Sequence, residues 1–335
     1  MSQMIRGLIM GLALFIGTLA NQAVAQTPQQ VKGIGWTAST TVAPALATDG
    51  NNGYIAWVDS ATSNVYYATY GSGGWYNPQP VSGTNTSGGT WTAQSDAAPA
   101  WGYDGSFFYL FWKGKGGNKI WFSSMTSEGD WTLQSVVKGS SWTAETNVAP
   151  AATFTGWPVT LYWQGMSADT VWTSSFDDLA PGWTTQQVVK GWATNVAPCV
   201  ESSPSSSDNP AVFLKAATDN GMAGFVSSTG DPVSGSGWTA ETTQSPAAVL
   251  DVGGQDLVLW TGQTGTSIWY SHNTGTPIGL GGSPKWSKQA TVTGAKTYLA
   301  PAVAQANGSS GFISLLAWKN ASDDAIWYLA NPKLP

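Results

Sequence analysis

Five tryptophans, Trp36, Trp91, Trp142, Trp192 and Trp238, stand at matched places along the chain, four of them opening the triplet "WTA". A polar side chain follows three residues after each of those four, as Ser39, Gln94, Glu145 and Glu241. An indole offers a flat apolar face to the C–H side of a sugar ring, and neighbouring carboxylates, amides and hydroxyls can hydrogen-bond sugar hydroxyls. The same residues also suit a second role, in which each indole is a wedge filling a seam and the Thr and Glu cap a loop. Repetition fits both.

Other chemistries lack parts. His272 is the only histidine, so no histidine metal cluster can form, and it reads as a strand-end surface residue. Arg6 is the only arginine, which removes the forked guanidinium grip a sialidase places on its substrate carboxylate. Glycosidases need two carboxylates about 5–10 Å apart. Asp49, Asp104, Glu201 and Asp251 instead read as turn residues, and the pairs Asp177–Asp178 and Asp323–Asp324 as solvated loop charge without calcium-loop spacing. Cys199 has no partner in the chain and reads as a small buried hydrophobe. No catalytic residue, metal or cofactor is assigned.

Residues 1–25 carry one basic residue, an apolar run and small residues before Gln26, the pattern of a secretory signal peptide cleaved near Ala25. Its apolar core is shorter than the roughly 20 residues of a membrane span, and no later run approaches that length. The expected localisation is secreted, extracellular or periplasmic. Losing Arg6 with the leader takes the formal charge from −6 to −7, which makes nucleic acid a poor partner.

The elements that would hold these residues repeat. Segments such as "WTASTTVAPALA", "WTAETNVAPAAT" and "WTAETTQSPAAV" align on Pro44, Pro99, Pro150, Pro198, Pro246 and Pro301. Each continues into period-2, aromatic and β-branched strands. From Trp57, Trp112, Trp163, Leu214, Trp260 and Trp318 it is always eight residues to Val65, Ile120, Val171, Met222, Ile268 and Ile326, so one hairpin has a fixed length. A last strand closes on Gly83, Gly139, Gly191, Gly235 and Gly294. Four strands recurring about every 50 residues predict an all-β, six-bladed β-propeller.

The blades fall at approximately 34–83, 84–139, 140–191, 192–235, 236–294 and 295–335 of a single domain, 26–335. The sixth lacks its last strand, and "PQQVKG" near the start resembles "TQQVVKG" at Thr185 to Gly191. Residues 26–33 are therefore expected to complete blade six. In this geometry the connecting tryptophans share one rim with the fixed-length hairpins, while "APA" segments make a small, apolar channel wall.

The run "APALA…AWVD…VYYATY…W…PVSG" and its copies resemble the repeats of secreted bacterial lectin-like and sialidase-like propellers across essentially the whole mature chain. Six blades of this size are also similar to those of the fucose-binding fungal and bacterial lectins. That resemblance implies sites between blades built from an arginine, a glutamate and aromatic residues. Trp142 with Glu145 and Trp238 with Glu241 match the last two, and the arginine has no counterpart. The fourth repeat departs further, with Leu214 and Met222 in place of strand aromatics.

The resulting expectation is a non-enzymatic carbohydrate-binding propeller with Trp36, Trp91, Gln94, Trp142, Glu145, Trp192, Trp238 and Glu241 on its ligand rim. The alternatives are a propeller glycoside hydrolase or lyase acting on extracellular polysaccharide, and a protein-interaction scaffold.

Overall fold

The computed structural model describes residues 27–332 apart from 105, 127–128, 154–157, 178–181, 202–210, 226–229, 251–254, 279–283 and 309–310. The expected leader, Asp178 and Asp251 lie outside the described residues. Six antiparallel sheets form a ring in which each inner strand contacts the next and the sixth contacts the first. The inner strands are Ala45–Thr48, Ala100–Tyr103, Ala151–Ala152, Cys199–Val200, Ala247–Leu250 and Ala302–Gly308. This is the six-bladed propeller that the period predicts. Among the described residues no helix is long and apolar enough to cross a membrane.

The N-terminal strand closes the ring. Gln29 and Gln30 pair with Tyr328 and Trp327 on the outer edge of blade six. Val31 follows, donating its N–H to the Ile326 carbonyl at 2.8 Å while its side chain is fully buried. The Tyr328 hydroxyl donates to Gln29 Oε1 at 2.9 Å, and burial with the nearby Tyr70 pushes that phenol up to about 12, so it remains a donor at neutral pH.

Tryptophan builds the seams. Trp112, Trp163, Trp260 and Trp318 on the second strands are at most 2% exposed. Each sits directly opposite a third-strand indole, Trp121, Trp172, Trp269 and Trp327, as cross-strand pairs do on one face of a sheet. Glycine follows for steric reasons: a Cβ on Gly114, Gly165 or Gly262 would lie under 3.0 Å from the third-strand indole of its own blade. Blade four has Leu214 at the equivalent core position.

A buried hydroxyl steers each connection towards the axis. Thr40, Ser95, Thr146, Thr194, Thr242 and Thr297 are all 0% exposed. Their side-chain oxygens accept from the backbone N–H two residues on, at 3.0–3.3 Å. This local turn satisfies buried backbone where the chain swings from the rim into the "APA" strand.

The acids mostly behave as the turns require. Asp49 Oδ1 accepts from the N–H groups of Asn51 and Asn52, and Asp104 Oδ1 from those of Ser106 and Phe107. Glu201 differs: it follows its strand but is 1% exposed, an interior residue and not a surface turn. His272 ends the strand Ser267–His272 as expected, with Nδ1 3.2 Å from Ser287 Oγ.

Candidate functional site: the tryptophan rim and the closure cleft

At Gly33, Gly83, Gly139 and Gly235 the chain makes a short ribbon, then runs beside the preceding blade. Lys32–Gly33 pairs with Trp36–Thr37, Ser82–Thr84 with Thr90–Thr92, and Ser234–Gly235 with Trp238–Thr239. The residue three past the tryptophan then bridges to the fixed-length hairpin of the blade before: Ser39 to Ala325, Gln94 to Asn64, Glu145 to Lys119 and Glu241 to Gly221. Connection and hairpin thus make one rim.

The indoles fold back onto the protein. Trp36 stacks on Trp57 at 6.2 Å between centroids, Trp91 on Trp112 at 6.4 Å, Trp142 on Trp163 at 6.2 Å and Trp238 on Trp260 at 6.2 Å. The interplanar angles are 6–14°. A Cβ on Gly33, Gly83, Gly139 or Gly235 would come within 3.0 Å of these rings, which gives the closing glycines their reason. Trp91 is buried, whereas Trp36, Trp142 and Trp238 keep part of the ring in solvent.

Trp192 departs from this pattern. It lies inside the strand Gln187–Ala193, is buried, and stacks on Tyr162 at 6.0 Å and against Phe225. No turn separates it from Gly191, and Leu214 offers no indole in blade four for it to reach.

Glu145 and Glu241 are exposed, as is Gln94, whose Nε2 donates to Asn64 Oδ1 at 3.0 Å. On an extended run, residues three apart point to opposite faces. Trp142 and Glu145, like Trp238 and Glu241, therefore share the rim without sharing one face. The second threonine of each "T-A-E-T" is the buried turn hydroxyl described above, so it is unavailable to a ligand.

Two concavities stand out. An axial cavity of about 360 Å³ is walled by the six Ala-Pro or Ser-Pro turns, with Val42, Val148, Val196 and Leu299 among its lining. Cys199 belongs to this wall, and burial, with Glu201 nearby, pushes its thiol up to about 12. At pH 8 almost none is thiolate, the reactive form. Iodoacetamide labelling of the native protein at pH 8 is expected to be at least ~100-fold slower than in denaturant. Comparable rates would show the wall to be open.

The second concavity is a cleft of about 890 Å³ on the seam between blades six and one. Aromatic side chains Trp36, Trp75, Tyr76, Trp327 and Tyr328 line it, with Gln29, Gln30, Lys32 and Asn77 as its polar groups. Tyr76 is 42% exposed and Ile34 fully so. Trp36 is thus the rim tryptophan that the structure places in a cleft of ligand size. Sequence reasoning missed Tyr76, Gln29 and Tyr328 as its neighbours, because they come from three strands and nearly opposite ends of the chain.

No protein-family model matches the chain, and no curated protein matches it. Solved structures do. The intramolecular trans-sialidase from Ruminococcus gnavus, in complex with oseltamivir carboxylate, superposes with a TM-score of 0.62 at 10% identity, over 93% of this chain and 100% of that one. At this identity the likeness shows the fold alone.

Two ion pairs and polar clamps keep the rim hairpins in place. Lys113 Nζ donates to Asp96, and Lys319 Nζ lies 3.3 Å from Asp324. Burial alone would raise the Asp96 carboxyl, yet hydrogen bonds from Lys113 and the Gly116 N–H hold it below the usual aspartate range. Lys215 occupies the corresponding place in blade four and donates to Asn195 Oδ1 at 2.8 Å.

Proposed function

We propose that this protein is a secreted, non-enzymatic carbohydrate-binding propeller that presents partly exposed tryptophans on one rim. The observation that carries this reading is the closure cleft, where an indole, a half-exposed tyrosine and three carboxamides face one space of about 890 Å³. Aromatic faces stack on sugar C–H surfaces, and carboxamides both donate to and accept from hydroxyls. Trp142 and Trp238 offer partly exposed indoles elsewhere on the rim, and repeated weak sites add up on a surface displaying many copies of a glycan. The chain's one arginine lies in the leader, so a sialidase-type grip on a substrate carboxylate is not part of this reading.

The test combines a glycan array and polysaccharide pull-down with a reducing-end assay on the same polysaccharides. Binding without hydrolysis is expected, weakened at least ~10-fold by Tyr76→Ala, a loss of about 1.4 kcal/mol. No binding across the panel contradicts the reading. Hydrolysis abolished by Glu145→Gln or Glu241→Gln would replace it with a glycoside hydrolase.

A further inference from the structure

The outer strand of blade one, Gly74–Pro80, divides two clefts. On one side lies the closure cleft. On the other, between blades one and two, lies a cleft of about 520 Å³ lined by Tyr67, Thr69, Gln79, Tyr103, Thr126 and Asp130. Asn77 lines both.

The backbone at Asn77 is not that of a plain strand. Tyr67 pairs with Gln79 and Thr69 with Tyr76, so Asn77 and Pro78 form a bulge opposite Ala68. Asn77 has φ +52°, a left-handed conformation that asparagine tolerates better than most residues. Bulges of this kind re-aim side chains and recur beside binding sites. Here the bulge puts a carboxamide on the ridge between the clefts.

The second cleft combines aromatic walls, Tyr54, Tyr67, Tyr103 and Phe108, with hydroxyl, amide and carboxylate groups. The Tyr67 hydroxyl lies 3.3 Å from both Gln79 Oε1 and the Gly129 carbonyl and donates its single proton to either, which leaves the amide N–H groups of Gln79 for a ligand. Gln79 and Asp130 are exposed. Asp49, at the edge, already accepts from two backbone N–H groups and the Tyr54 hydroxyl. Among the described residues the lining holds carboxylates and no lysine, so it disfavours an anionic chain.

We infer that the two clefts are subsites of one path, and that the ligand is a linear, uncharged polysaccharide crossing the ridge at Asn77 and not a terminal monosaccharide. The clefts lie on the two faces of a single blade, and stacked sheets are roughly 10 Å apart. A chain reaching both therefore spans several sugar units. This rests on the carbohydrate-binding reading above.

The test is an affinity ladder. Oligosaccharides of one to six units, β-1,4-linked glucose, N-acetylglucosamine, mannose and xylose, are titrated by calorimetry against the whole mature protein. In at least one series affinity is expected to rise tenfold or more between the dimer and the longer members. Tyr76→Ala and Gln79→Ala, on opposite sides of the ridge and both at exposed positions, should each flatten that rise. Asn77→Gly, which keeps the positive φ, should weaken only the longer members. Binding that is equal at all lengths, or a rise unchanged in all three variants, overturns this inference and leaves the carbohydrate reading standing. Absence of binding at every length in every series overturns both.

Discussion

A chain beginning at Ile34 unfolds at a thermal midpoint roughly 10 °C below that of the chain beginning at Gln26. Within the deleted stretch Gln29 and Gln30 supply the outer strand of blade six, and three terms leave with it. Val31 is fully buried, worth about 1.5–3 kcal/mol. The backbone bond from Val31 to Ile326, the Gln29–Gln30 pairing and the Tyr328–Gln29 bond each contribute on the order of 1 kcal/mol. Removing the strand also uncovers the edge of Ile326–Ala330. A loss of about 5 kcal/mol in a chain of this size, at about 2 °C per kcal/mol, gives the stated shift. Differential scanning calorimetry reads it, and an unchanged midpoint would mean the ring does not depend on this closure.

The second large effect is at the indole stacks. Trp163→Ala should cost about 3–5 kcal/mol, because Trp163 is 2% exposed and its ring fills the seam between blades. Trp142→Ala should cost less, since part of that ring is already in solvent. The informative quantity is their coupling. Parallel rings 6.2 Å apart predict that the double variant loses about 0.5–1.5 kcal/mol less than the sum of the singles. Urea unfolding of the four proteins measures it. Coupling near zero would make the stack an incidental contact and free Trp142 for a ligand role alone. Strong coupling with unchanged glycan binding by Trp142→Ala would assign that indole to the seam.

How much of this was legible in the sequence depends on which features repeat. The fixed eight-residue spacing from Trp112 to Ile120 and from Trp260 to Ile268 follows from a hairpin of constant length, so blade number and strand order could be read directly. The closing strand was legible for a related reason: the last copy lacked a strand that Gln29 and Gln30 could supply.

The site was less legible because burial and facing do not repeat visibly. The threonine of "T-A-E-T" reads as a free hydroxyl until its 0% exposure is known. Trp142 and Glu145 look adjacent in the sequence, although the period of two along a strand already separates their faces. The closure cleft was hidden more deeply, since it joins Gln29, Trp36, Tyr76 and Tyr328 across non-repeating positions on different strands.

A crystal structure of residues 26–335 soaked with the tightest-binding oligosaccharide from the ladder tests the shared path most directly. Sugar rings are expected in the closure cleft, in contact with Trp36 and Tyr76, with further units passing Asn77 towards Gln79. Sugar bound in the axial cavity with both clefts empty would contradict it.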